Sequence, residues 1–326
     1  LSLLGDARFG DQTFGGLKAG QLHLWLRVAN EFGAIAPPDD APDNESESIL
    51  PDRLLAEGAV QLDSPALTGS TERFEVWFHH VPPETLAQTE SPARDSDRTP
   101  QPWRNQSTAP AARFNISGNV LRAQLAVAGK DVQLRDVSVE GKATILETQT
   151  ADAGAVPVRI SGDFVHVAAA NSPQAKAVVA GKPAIVSGRG VTLKGASIHM
   201  DRALNRVTVP GVGEATLPLS NGLGTNPKRE QPPVQLTSTA AIPRRNELGK
   251  ASAEQQAATV TWNDGMQFDG KTVQLHGGVE ARTDQQKLTA PLVEIELTQE
   301  LSLSKPPTDR AMDVQQVRLK GQANCC

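Results

Sequence analysis

Tyrosine is absent from this 326-residue chain, and aromatic residues of every kind make up 4% of it. That scarcity counts against a carbohydrate-active β-enzyme, whose cleft combines aromatic platforms with converging carboxylates. Cysteine is nearly absent too. Cys325 and Cys326 are the only two, and adjacent cysteines seldom bridge each other, so no disulfide framework is expected. No run of about 18 apolar residues occurs, which excludes an apolar membrane-spanning helix from the sequence shown. Positive charge is not in excess: the formal net charge is −5 and the isoelectric point is near 5.7. A general nucleic-acid binder needs a basic footprint, and the pairs Lys228-Arg229 and Arg244-Arg245 lie in Pro-rich stretches. Helical periodicity is missing as well, since apolar residues at i, i+3, i+4 and i+7 form only short, broken windows.

What the chain has is alternation. Leu22-His23-Leu24-Trp25-Leu26, Phe74-Glu75-Val76-Trp77-Phe78, Val165-His166-Val167 and Val293-Glu294-Ile295-Glu296-Leu297 each put apolar residues on one face. This is the pattern of a half-buried antiparallel strand. The 27 Gly and 23 Pro suit many strands separated by turns. Asp264-Gly265 and Asp269-Gly270 predict tight hairpins, and His276-Gly277-Gly278 predicts another reversal. The expectation is a meander of very short strands. Residues 36–48, 82–112 and 220–257 are polar and Pro-rich, so they cannot bury enough apolar surface to offset ordering entropy and read as loops. They divide the chain into β-repeat blocks at 1–81, 113–219 and 258–326, with flexible segments at 82–112 and 220–257, or into one continuous array.

A quasi-repeat runs through the strands. A small residue is followed at +3 and +5 by two apolar residues, often with a third at +7. Copies start at Ala19 (Leu22, Leu24, Leu26), Thr71 (Phe74, Val76, Phe78), Gly195 (Ile198, Met200), Gly162 (Val165, Val167) and Ala290 (Val293, Ile295, Leu297). Gly58-Ala59-Val60 precedes Thr71, and Gly277-Gly278-Val279 precedes Ala290, at the same spacing. Gly141, Gly181, Gly118 and Gly321 lead looser versions, read as strand starts. Trp25 and Trp77 share one repeat position on the face opposite the apolar triplet. A cross-strand contact on the outer face is the plain interpretation and a ligand platform the other.

The run from Val260 to Leu297 resembles the OstA-like, or lipopolysaccharide-transport protein A, family (organic solvent tolerance N-terminal-like). Gly277-Gly278-Val279 and the strand Leu288-Thr289-Ala290-Pro291-Leu292-Val293-Glu294-Ile295 carry the resemblance. Leu54 to Phe78 and Lys182 to Val209 match less fully, so that about half of the chain is covered and the long polar insertions are not. The resemblance implies an all-β fold: a folded-over antiparallel β-jelly-roll, open along one seam, built from repeated short strands, to which the composition adds the long disordered loops. It implies a non-enzymatic lipid-binding or lipid-bridging protein of the periplasm or cell envelope. Its partners would be lipopolysaccharide or another amphiphilic lipid, and related OstA-like domains joined through edge strands near Leu1–Phe14 and Val314–Ala323. Leu22, Leu24, Leu26, Phe74, Val76, Phe78, Ile198, Met200, Val293, Ile295 and Leu297 are then the candidate groove residues. In a structural or adhesive β-scaffold without a ligand, the same residues would form a closed core.

Motifs for chemistry are scarce. His23, His79, His80, His166, His199 and His276 form no metal-ligand spacing, and no cofactor, metal or catalytic residue is expected. His23, His166 and His199 share one repeat position on the polar face, where stacking would make an imidazole ladder or simply a solvated face. Glu294 and Glu296 fall on one strand face, as a charged outer surface does by default.

Overall fold

The computed structural model describes residues 1–11, 15–28, 49–64, 67–82, 113–129, 131–149, 157–170, 172–188, 190–219, 256–283, 286–298, 300–303, 314–320 and 324–325. The proposed loops 36–48, 82–112 and 220–257 fall almost wholly outside these residues. The chain is all-β, and its strands belong to one sheet of 17. β1 (Ser2–Asp11), β2 (Gly15–Val28), β3 (Ile49–Asp63) and β4 (Leu67–His80) form an antiparallel run. β5 (Arg113–Ala128) joins β4 in parallel, with pairs from Leu67↔Phe114 to His80↔Val127. Antiparallel pairing then resumes through β6 (Asp131–Gln149), β7 (Arg159–Ala168), β8 (Lys176–Gly188) and β9 (Val191–Asp201).

Beyond β9 two lines are each broken in the middle. β10 (Arg206–Pro210) and β11 (Gly213–Leu219) both pair with β9, while β12 (Gln256–Trp262) and β13 (Gly265–Phe268) both pair with β14 (Thr272–Arg282). β15 (Lys287–Leu297) follows β14, and β16 (Val314–Lys320) and β17 (Asn324–Cys325) lie end to end along β15. Asp264-Gly265 is therefore not a hairpin, because β12 and β13 run on in one direction against the same neighbour. Asp269-Gly270 is one: Asp269 Oδ1 accepts from the Thr272 amide at 2.8 Å and β14 returns along β13.

The described repeat glycines are neither strand starts nor reversals, and Gly321 lies outside the described residues. Gly58–Ala59, Gly141–Lys142 and Gly277–Gly278 sit in mid-strand as consecutive left-handed residues, with φ of +82° and +50° at the first of these corners. Two such residues bend the strand sharply without changing which face its side chains take, since the residues flanking the corner stay four apart (Ala56 and Val60, Val139 and Ala143, Leu275 and Val279). All six are buried. The register also slips at these positions in neighbouring strands, so the corners line up across the sheet. The short apolar runs in the sequence are thus half-strands, joined at a corner into strands of up to 19 residues.

The matched spacing in the repeat now has a cause. The residue after each corner pairs with the small residue of the quasi-repeat in the next strand: Val60↔Thr71, Ala143↔Gly162, Ala184↔Gly195 and Val279↔Ala290. The slot must be small because the inside of the corner has no room. A Cβ at Gly118 would overlap Val139 Cγ1, and one at Gly162 would come within 2.5 Å of the Ala180 carbonyl oxygen. Gly118, read as a strand start, belongs instead to this small-residue class, with Leu121 and Ala123 at +3 and +5.

The halves fold toward each other. Ala56, Val60, Val179, Ala184, Ile198 and Val209 are 0% exposed. No described helix and no second sheet lies over them, so only the two halves of the same strands supply that cover. The cross-section is a wedge whose vertex is the line of corners.

Candidate functional site

Apolar residues line the wedge in rows that cross the sheet from strand to strand. One row beside the vertex runs Leu3, Leu22, Ala56, Phe74, Leu121, Val139, Val165, Val179, Ile198, each directly paired with the next. The next row outward runs from Leu24 on β2 through Leu54, Val76, Ala123, Val137, Val167, Ala177, Met200, Val207, Phe268, Val273 and Ile295 to Val317 on β16. On the other side of the corner a third row runs from Phe9 to Leu288, and Cys325 is its last register partner. Every position in the second row is apolar, including the two that face each other across the parallel β4–β5 joint. The alternation sets the side-chain direction, and the aligned corners keep it in phase through the array.

On β7 to β9 burial falls away from the vertex: Ile198, Val179 and Val165 are 0–1% exposed, whereas Met200, Ala177 and Val167, one row out, are half-buried. The same decline appears across the corner, from Ala184 to Val186. On β3 to β5 the second row stays closed, with Leu54, Val76 and Ala123 buried. At the two ends of the array the rows are uncovered: Leu3 and Phe9 on β1 are 38% and 43% exposed, and Val317 on β16 is 38% exposed. β1 pairs only with β2, and β16 and β17 only with β15, so each end also presents an unpaired strand edge among the described residues. The arrangement is an apolar trough with a filled vertex, a partly open mouth and open ends.

The candidate groove residues divide by depth. Leu22, Val76, Ile198, Val293 and Leu297 are buried, while Leu24, Phe74, Phe78, Met200 and Ile295 are half-buried. Leu26 differs: it is 50% exposed and lies outside the packed clusters, because β2 passes a bulge between Trp25 and Leu26 on its way to the rim. Leu121, Val139, Val179, Val209 and Leu275 were not among the candidates, yet they belong to the same core. Val139, Val179 and Val209 follow Asp136, Lys176 and Arg206 in place of a small residue, and Leu121 and Leu275 are followed two positions on by Ala123 and Gly277, so the +3/+5 pattern is faint there. The Gly-x-apolar corner is the signal that finds them.

The opposite face is polar and holds the histidines. A single row passes Ser2, His23, Leu55, Glu75, Arg122, Ser138, His166, Val178 and His199 in direct register. The shared repeat position is real, but the ladder is not. Four residues separate His23 from His166, and Val178 separates His166 from His199. No group of three or more metal-ligating side chains occurs among the described residues. Glu75 is 5% exposed in this row, sealed by Arg73 at 2.5 Å and by Arg122 at 3.5 Å. Arg122 also pairs with Glu140, and Arg73 with Glu57 at 3.4 Å, so charges alternate across four strands. Glu294 and Glu296 lie on the outer face as expected and share Arg318. Lys271, 2.9 Å from Glu296, holds that carboxyl below its ordinary range.

Trp25 and Trp77 are not in contact. Arg53 stands between them, its guanidinium 5.1 Å from the Trp25 ring and 5.4 Å from the Trp77 ring. Direct register sets this stack, Trp25↔Arg53↔Trp77 across β2, β3 and β4. Beyond Trp77, on β5 to β7, the outer face sinks into a depression of about 290 Å³.

Compared with family models, curated proteins and solved structures, the chain matches none of them.

Proposed function

We propose that the chain is a non-enzymatic lipid-binding or lipid-bridging protein of the cell envelope, lipopolysaccharide-transport-like in its mode of action. The observation that carries the proposal is the continuity of the apolar rows, which cross the whole array and reach both unpaired edges uncovered. Apolar surface of this kind shelters acyl chains along the mouth, each buried methylene contributing about 0.8 kcal/mol. An unpaired strand is a template for another sheet, so a related domain added to β1 or β16 would extend the ladder and the trough together. The buried residues hold the shape, and the half-buried positions of the second row, among them Met200, Phe268 and Ile295, meet the lipid.

The test is native mass spectrometry of the purified chain, followed by organic extraction and lipid analysis, with Met200→Asp and Ile295→Asp as variants. A co-purifying amphiphile that both variants lose while keeping their β-sheet circular dichroism supports the reading. A lipid-free protein that also ignores added lipopolysaccharide overturns it and leaves a ligand-free β-scaffold.

A further inference from the structure

The depression beyond Trp77 places two polar side chains without a protein partner, Gln124 and Ser138, and Asp136, which accepts from the Ala169 amide at 3.3 Å, beside an aromatic ring already fixed in place. Trp77 on β4 forms one wall, and its register partners along the row are Gln124 on β5 and Asp136 on β6. The adjoining row contributes Ser138 on β6 and His166 on β7. The side chains of Gln124 and Ser138 make no hydrogen bond within the protein, whereas Arg122 is engaged with Glu75 and Glu140. Strands lie about 4.8 Å apart, so Trp77 and Ser138 stand about 10 Å from each other across the hollow. A bulge at Arg135, between the pairs Gln124↔Asp136 and Leu125↔Leu134, breaks the ladder beside it. Bulges in this position re-aim side chains.

We propose that this outer-face depression binds a saccharide, one or two pyranose rings long. A pyranose presents a flat patch of C–H bonds and a rim of hydroxyls that both donate and accept. The Trp77 ring offers a matching apolar plane, held by Arg53 on the β3 side. Gln124 and Ser138 each donate and accept, and the carboxylate of Asp136 accepts. Planar anions are a poorer match, because the guanidinium that lines the hollow, that of Arg122, is already paired with two carboxylates. Nothing here rests on the lipid reading, since these side chains point away from the trough.

The experiment is a titration of the delipidated full chain with methyl glycosides of glucose, galactose and N-acetylglucosamine and with their disaccharides. Tryptophan fluorescence and saturation-transfer NMR read the binding. At least one sugar is expected to bind saturably below about 10 mM, the weak range open to a small exposed site. Gln124→Ala and Ser138→Ala are each expected to weaken it by about fivefold, as the loss of one hydrogen bond does. Both positions are on the surface, so these variants test the site even if Trp77→Ala disturbs the Arg53 stack. His199→Ala, in the same outer row but remote from the hollow, should bind as wild type does. No saturable response to any of these sugars overturns the proposal. So does binding that Gln124→Ala and Ser138→Ala leave unchanged, or binding only to a glycolipid that is lost with Met200→Asp.

Discussion

Replacing Gly118 by alanine tests the claim that the small-residue slot is set by space inside the corner and not by backbone conformation. Gly118 has no left-handed φ, so alanine is allowed there by its torsions. What forbids it is the overlap of the new Cβ with Val139 Cγ1, with the Glu140 carbonyl oxygen 3.1 Å away. Overpacking a tight site by one methyl costs about 1–3 kcal/mol. Val139→Ala alone removes two buried carbons from a residue 1% exposed and costs about 1–3 kcal/mol through lost transfer energy and a residual cavity. The two changes together take away the clash and fill part of the cavity. The double variant should therefore be more stable than the sum of the singles by about 1–2 kcal/mol. Equilibrium urea unfolding of the four proteins measures this coupling. Gly58→Ala is the contrast: its φ of +82° strains any side chain, while its nearest neighbour atom lies 3.5 Å from the added Cβ. It should cost about 1 kcal/mol, and Val139→Ala should not rescue it. Additivity of Gly118→Ala and Val139→Ala to within about 0.5 kcal/mol would refute the steric account.

Arg53→Ala removes two cation–π contacts at exposed rings and should lower stability by about 1–2 kcal/mol while shifting the tryptophan emission of Trp25 and Trp77. Asn205→Ala should free the segment after β15. The Asn205 amide donates to the Leu301 carbonyl at 2.7 Å and accepts from the Leu303 amide at 2.8 Å, so amide exchange at Leu303 should accelerate while the vertex strands stay protected. Acidification should weaken the fold through Asp201, Glu280 and Glu296. Their carboxyls are held below the ordinary range by the Leu204 amide, by Lys287 and by Lys271 respectively. Groups with depressed folded values stabilise above the unfolded carboxylate range and lose that contribution as pH falls through the folded value. Stability should decline below about pH 4, with a shallower slope in the Glu280→Gln and Glu296→Gln variants. A steeper slope in those variants would contradict the ion-pair assignment.

Alternation made the fold class legible, because Leu22/Leu24 and Val293/Ile295 already stand on one face in the sequence. The corners were not. Gly-Gly and Asp-Gly have the same φ freedom in a hairpin and in a mid-strand bend, and only the neighbours decide between them. At Asp264 the decision comes from β14, whose His276 and Gly277 carbonyls accept from the Asp264 and Asn263 amides and hold the line straight through the break. The groove candidates were legible where a small residue is followed by an apolar pair at +3 and +5, and illegible where that spacing is broken, as at Val139 and Val179. The outer depression could not be read at all. It takes shape from the lateral order of β4, β5 and β6, and β4 and β5 are joined in parallel, a pairing that no turn signal marks.

That parallel joint changes what it means to cut this chain. Elsewhere in the sheet most neighbours are tethered by a turn, but β4 and β5 are held in register by their ladder, by the rows that cross it at Phe74↔Leu121 and Val76↔Ala123, and by side-chain bonds such as Arg122 to Glu75. Severing the backbone between His80 and Arg113 would leave every described strand pairing in place. The two pieces would behave as halves of a noncovalent complex, and dissociation would expose on each half an edge lined with the same apolar rows that end at Leu3 and Val317. The molecule thus carries, in its own middle, a working specimen of the edge-to-edge splice proposed above for its two ends.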